Sequence, residues 1–528
     1  MVSGIQVLCI ALVMSFLCEG TGNALLSICG MKKKGYAAPY GMALIFAMLE
    51  IVYIPATCLH LSSEYCAVMT SGVLLVAAAT TVKYFKESIS SYLERDTIAV
   101  VLSSVLYLLI MHHVQNTGTV QMLDNMVANS YVQAVNTGVN FLQGYTVLGA
   151  MMLKVMSADG FVIIMGTFYH LLFAQVCLDI IRTFQLKNPW FVFTLVLYAV
   201  FYTGFNEWQI ITAFSGDNWR ILCITILLWH IYCDVQSESP YDKSCFACIA
   251  VLTAGMFVSA GFATISASVL YCYLAWQLKN RKVRSLQYFL YMLLPQVVYC
   301  SLLIARKNIA AGIVVMAVYV CFLIFKSKKQ MRRVLARAED ALFDHAVEIF
   351  YIGIPVLTCI ITLLLWVFQP VRQIPYSLYA QFLKMEPVRS YLFLDHSLLT
   401  IILDIFRWCG LFIFIYFGKK KEENQLRSML FLMVVFFLNP LCMGTIARVI
   451  GFDEYAFIFE TVFNPFTDLL LFIAVYRMFE WQSIGQWVLE IFLVAAVLIG
   501  HVSSFTNYPF GLYENLIPSG HIEEGFNY

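Results

Sequence analysis

The stretch LDNMVANSYVQAVNTGVNFLQG, residues 123–144, carries Asn125, Asn129, Gln133, Asn136 and Asn140 at a helical spacing. At 3.6 residues per turn these amides fall within an arc of about 80°. Val127, Tyr131, Ala134, Val135, Phe141 and Leu142 take the other side. A helix of this kind lies in the plane of a membrane interface with its apolar face down. Amides both donate and accept hydrogen bonds, so the strip suits a neutral polyhydroxyl ligand such as a sugar. A simply solvated face is the alternative. Asp124 opens the segment and has two readings: a general base taking the proton of an attacking hydroxyl, or an N-cap for the helix.

A second group lies in FNEWQIITAFSGDNWR, residues 205–220, which holds Glu207, Trp208, Asp217, Trp219 and Arg220. Aromatic faces beside carboxylates form a carbohydrate platform, although tryptophan is also enriched at membrane interfaces for its own reasons. Ser215, Gly216, Asp217 and Asn218 read equally well as a turn and helix cap. Glu207 has no capping role and joins Asp124 as a candidate base. A third group is bracketed by Asn439-Pro440 and Asn464-Pro465 and contains Arg448, Asp453, Glu454, Tyr455 and Glu460. Proline breaks a helix, and the freed N–H groups together with Arg448 are suited to a phosphate. A packing bend is the competing account.

Other ionisable residues fall inside or beside apolar runs: Glu19, Glu50, Asp179, Asp404 and Arg407. Charge in lipid is costly, which makes each a functional candidate, although Asp404 and Arg407 share a helix face and neutralise one another. The histidines show no metal-ligand spacing. No metal ligand and no cofactor is specified; a divalent cation is the one left open. Most of the 16 cysteines sit within apolar runs and read as small hydrophobes. Cys245 and Cys248 have thioredoxin-like spacing without the surrounding βαβ pattern.

The elements that must position these groups are membrane helices. The 528 residues are 61% hydrophobic and only 12% charged, against roughly 25% charged in soluble domains. Apolar runs long enough to cross a ~30 Å hydrocarbon core recur throughout, and no soluble domain is left over. The fold class is therefore all-α, a polytopic transmembrane bundle of about 15–16 spans. Spans are expected near 2–30, 38–60, 66–82, 97–114, 159–181 and 189–205, then in 220–278 as one span and a hairpin with its tip near Gly261. Others follow near 286–305, 309–325, 347–369 and 485–504. Residues 2–18 resemble a secretory apolar region but lack a basic start and a small-residue cleavage site, so they are expected to remain as the first span.

The net charge of +1 itself says nothing about nucleic acid, and none is expected as a partner, because the basic residues are dispersed in short clusters between apolar runs rather than gathered on one domain. Lysines and arginines concentrate in alternate connectors, at 32–34, 83–95, 182–187, 279–284, 326–337, 419–427 and 477. The positive-inside rule assigns these to the cytoplasm. The basic segment 326–346 is expected to lie on the membrane surface near anionic headgroups. A multi-pass cell-membrane protein results, with both termini extracytoplasmic, external loops at 115–158, 206–219, 370–396 and 448–457, and a short external tail at 505–528.

Over most of its length the chain resembles a divergent member of a family of bacterial, mainly Gram-positive, multispanning proteins of unassigned function. These are themselves similar to GT-C glycosyltransferases, which use polyprenyl-phosphate sugars. The resemblance is carried by GYAAPYGMALIFAMLEIVYIPATCL, LDNMVANSY, ITAFSGDNWRILCITILL and FLNPLCMGTIARVIGFDEYAFIFETVFNP. It implies a GT-C-like fold with short interfacial helices in the external loops. It also implies transfer of a sugar from a polyprenyl-phosphate carrier in cell-envelope glycolipid or polysaccharide assembly, beside other envelope-assembly proteins. The first external segment of such proteins resembles an acidic D-D-x-x-Y element. Here Tyr131 is kept but Ala128-Asn129 precedes it, and Asp124 is the nearest acid. Three expectations stand open: a transferase with Asp124 or Glu207 as base, a lipid-linked saccharide flippase, and an accessory subunit.

Overall fold

The computed structural model describes residues 4–31, 35–58, 63–93, 97–115, 144–184, 186, 188–201, 213–236, 244–280, 285–326, 329–368, 409–412, 414, 421–451, 454–455, 457–478 and 485–491. Among them every regular element is helical. The first helices are α1 (Gly4–Cys29), α2 (Ala38–Cys58), α3 (Ser63–Lys83), α4 (Phe85–Tyr92), α5 (Thr97–Gln115), α6 (Gly144–Leu153), α7 (Ala158–Thr183) and α8 (Pro189–Phe201). Then come α9 (Gly216–Gln236), α10 (Ser244–Val258), α11 (Phe262–Lys279), α12 (Ser285–Met292), α13 (Leu294–Lys307), α14 (Ile309–Lys326) and α15 (Lys329–Asp344). A π-helical stretch, Val347–Gly353, leads into α16 (Ile354–Phe368); α17 (Lys421–Leu432), α18 (Pro440–Ile450), α19 (Phe459–Val462) and α20 (Pro465–Met478) complete the described order.

Five of the described helices are long and apolar enough to cross a membrane, or six when the bent pair Arg427–Phe437 and Leu441–Ile450 is taken as one span. The 15–16 spans expected from apolar runs concern the whole chain, of which 116–143, 202–212, 369–408 and 492–528 lie outside the described residues. Among the described helices, Ser244–Val258 is apolar but shorter than a span. The expected loop 115–158 likewise contains α6, whose ten residues GYTVLGAMML are too few to register as a span. The hairpin is where it was expected, with α10 and α11 turning at 259–261.

Burial separates an inner bundle from an outward-facing apolar shell. The α7 window is 94% buried, whereas the Glu64–Lys83 and Val347–Leu364 windows are 22% and 17% buried. Leu74, Leu75, Leu357 and Leu364 face outward, an arrangement that only an apolar surrounding leaves without cost.

The tightest packing is between α1 and α2. A Cβ at Gly41 would lie 1.7 Å from the Cys18 carbonyl oxygen, and one at Gly22 would lie 1.9 Å from the Ala37 carbonyl oxygen. Only hydrogen at these positions lets the backbones approach so closely. The start of α2 is then held by two buried carboxylates. Glu19 Oε2 accepts from the Ala37 and Ala38 N–H groups at 2.8 Å each, and Ser91 Oγ donates to Oε1 at 2.8 Å. Asp179 Oδ2 accepts from the Tyr36 N–H at 2.8 Å. Glu19 and Asp179, functional candidates by burial alone, thus satisfy the free N–H groups that every helix start leaves over.

The basic segment forms α15, an amphipathic helix whose mostly polar face is exposed. Its apolar side, through Leu342 and Phe343, packs on Leu274 and Leu278 of α11.

Candidate functional site

Helix α9 has 21 residues and is therefore roughly 30 Å long, so its two ends mark two ends of the bundle. Near its C-terminus the basic connectors gather. Phe184 stacks on Tyr232 at 5.6 Å, Arg477 donates to the Phe184 carbonyl at 2.9 Å, and Arg182 pairs with Asp179 at 3.5 Å. Beside them a small cleft is lined by His230, Asp234, Ser244, Tyr273, Tyr288 and Met292. Tyr40 OH and His230 Nδ1 are 3.2 Å apart, Ser244 donates to Asp234 at 3.2 Å, and Tyr273 also donates to Asp234. Cys245 and Cys248 line the same cleft.

The opposite end, at the N-terminus of α9, has a different chemistry. The Arg220 side chain is buried and spans two segments 240 residues apart in sequence: Nε donates to Glu460 Oε2 at 2.9 Å and Nη2 to Glu460 Oε1 at 2.7 Å. This is the fork-on-fork geometry that a planar guanidinium makes with a carboxylate. Its remaining nitrogen, Nη1, donates to Ser259 Oγ at 3.0 Å and to Asp217. Phe457 covers the guanidinium with its ring centre 4.6 Å away. Asp217 itself is 74% exposed on its side chain. A buried arginine, fixed from below by Glu460, therefore holds a carboxylate at the surface.

Several expected external segments meet around this group. The Tyr145 hydroxyl, next to the end of the amide-rich loop, donates to the Phe214 carbonyl at 2.6 Å, next to the end of the Glu207 loop. The hairpin tip at Gly261 packs against Phe457, and Thr264 donates to Glu454 at 3.3 Å. Glu50 of α2 is buried beside Gly144 and Phe257, and its Oε2 has no hydrogen-bond partner among the described residues. Asp217, Glu454 and Glu460 lie around Arg220, and the exposed Asp217 carboxylate is free to accept from hydroxyl groups. No group of three or more His, Cys, Asp or Glu side chains among the described residues is arranged to hold a metal ion.

The residues singled out by sequence are distributed unevenly. Asp124, Asn125, Asn129, Tyr131, Gln133, Asn136, Glu207, Trp208 and Asp453 lie outside the described residues, while Asp217, Arg220 and Glu454 come together as above. Trp219 does not form a surface platform. It is 0% exposed, packed among Phe46, Tyr145, Phe168 and Tyr169 with ring centres 5.4 to 6.1 Å away. Its position two residues from Asp217, about 200° around the helix, turns it into the core, where it anchors the start of α9.

The Asn-Pro pairs are capped corners. Asn439 Oδ1 accepts from the Leu441 N–H at 2.9 Å, and Asn464 Oδ1 from the Thr467 N–H at 3.0 Å. Each is a side-chain N-cap, with proline at the first helical position where its missing N–H costs nothing. The Phe437 carbonyl left over at the first corner accepts from the Tyr455 hydroxyl. Arg448 is exposed in the last turn of α18, about 13 Å along the helix from the Asn439 cap. It therefore does not join those N–H groups in one phosphate site. The helix ends just beyond, at Gly451, whose φ of 102° favours glycine.

Sequence reasoning named Glu460 only as one acid between two helix breaks, and it did not consider Ser259. Neither residue stands at a spacing that points to Arg220, and the pairing exists only once the fold brings the segments together. No family model, no curated protein and no solved structure matches this chain.

Proposed function

We propose that the chain is a GT-C-like membrane transferase of cell-envelope glycolipid or polysaccharide assembly. It moves a sugar from a polyprenyl-phosphate carrier to an acceptor at its Arg220 end, which faces away from the cytoplasm. The observation that carries this reading is the Tyr145–Phe214 hydrogen bond. It fastens the end of the loop bearing Asp124 and the amide row to the end of the loop bearing Glu207 and Trp208, beside the Arg220 group. In this reading Asp124 or Glu207 takes the proton of the attacking hydroxyl. Asn125, Asn129, Gln133 and Asn136, with Tyr131 and Trp208, hold sugar, and Asp217, steadied by Arg220, accepts from a sugar hydroxyl. Asp453 and Glu454 border the same end.

The test is transfer from a labelled polyprenyl-phosphate sugar in membrane vesicles. Asp124→Asn combined with Glu207→Gln is expected to abolish transfer while leaving the protein in the membrane at its usual level. Full transfer by the double variant removes these roles. A wild-type chain that binds the carrier without consuming it favours the flippase or accessory reading.

A further inference from the structure

We infer that Cys359 and Cys442 are a redox pair whose disulfide fastens the bent span to its neighbour. Cys359 lies on α16 and Cys442 on α18, with their sulfurs 3.4 Å apart. One helical turn further along both helices, Thr362 and Thr445 hydroxyls are 2.7 Å apart. Cys442 Sγ also contacts the Pro355 carbonyl at 3.6 Å, and Thr445 donates to the Thr358 carbonyl at 3.3 Å. Every one of these pairs advances by three residues on both helices, so α16 and α18 run parallel and in register. Closing a disulfide needs the sulfurs to move from 3.4 Å to about 2.05 Å, a displacement shared by two helices already in contact.

The two thiols differ in access, which assigns their order. Cys359 is half-buried and Cys442 is fully buried. Cys359 lies roughly 18 Å along its helix from Val347, past the middle of a bilayer entered from the basic end. With a low-molecular-weight disulfide as oxidant, the Cys359 thiolate attacks one oxidant sulfur, breaks its S–S bond and releases one thiol. The Cys442 sulfur then attacks Cys359 Sγ in the mixed disulfide and displaces the second thiol. Two electrons pass from the cysteine pair to the oxidant, and the two cysteine protons end on the released thiols.

The consequence follows from where α18 leads. It begins immediately after the corner, where the span bends by 80°, and ends at Gly451, shortly before Glu454, Phe457 and Glu460 in the sequence. Oxidation ties the far side of the bend to α16 and thereby restrains the segment that clamps Arg220. The pair stands on helix geometry alone and is independent of the transfer chemistry proposed above.

Tryptic cleavage isolates each cysteine in its own peptide, 338–372 and 428–448, with no other cysteine in either. The experiment treats the full-length protein in mild detergent with oxidised glutathione, blocks remaining thiols, digests without reductant and analyses the peptides by mass spectrometry. A linked 338–372/428–448 species that disappears on reduction, together with an upward shift in melting temperature that Cys442→Ser and Cys359→Ser both lose, is expected. Free alkylation of both cysteines after oxidation overturns the inference. So does either sulfur ending on glutathione alone or on a third cysteine.

Discussion

Glu460→Ala is expected to lower the stability of the detergent-purified protein by about 3–5 kcal/mol, the usual cost of removing one partner from a buried ion pair. The reason is the uncompensated guanidinium left behind. Arg220 has 6% side-chain exposure, and after loss of Glu460 its remaining partners are Ser259 and a largely exposed Asp217, which solvent screens. Replacing both members together, Arg220→Met with Glu460→Met, is expected to recover most of the loss, because two apolar side chains of similar size leave no buried charge. Thermal challenge followed by size-exclusion chromatography checks both. A Glu460→Ala protein that melts with the wild type would show that the pair does not hold this end of the bundle.

The second large effect is expected at Glu19. Its carboxylate accepts two backbone N–H groups and one hydroxyl in a site with 0% exposure. Glu19→Ala leaves those donors without an acceptor, at about 1–3 kcal/mol for each buried group. The total is about 3 kcal/mol or more, read in the same thermal assay. Glu64→Ala on the exposed side of α3 is the control and is expected to change nothing measurable. Equal melting of the two variants would mean that water or a neighbouring side chain replaces the Glu19 carboxylate at the start of α2.

These two sites show what a sequence of this kind discloses and what it withholds. Apolar runs and basic connectors reveal that the chain is helical and membrane-embedded, because burial in lipid imposes a composition that no water-facing surface shares. The turn near Gly261 and the corners at Asn439 and Asn464 are also legible, since caps and breaks are local chemistry. Arg220 with Glu460 is not, because a contact between distant segments leaves no periodic trace. Glu19 stands out in the sequence as a charge in an apolar run, but nothing there says that it holds Ala37 and Ala38. Trp219 misleads for a related reason: an interfacial tryptophan and a core tryptophan at a helix start look identical in one dimension.

The account depends above all on the Arg220 end and the basic connectors lying on opposite sides of the membrane, with the Arg220 end outside. Impermeant maleimide labelling of intact cells tests this, with cysteine introduced in place of Asn129 or Lys420 and labelling compared with the parent chain. The Asn129→Cys chain is expected to gain label in intact cells, and the Lys420→Cys chain only after the membrane is opened. The reverse pattern would put the Arg220 end in the cytoplasm and contradict the proposed site of transfer.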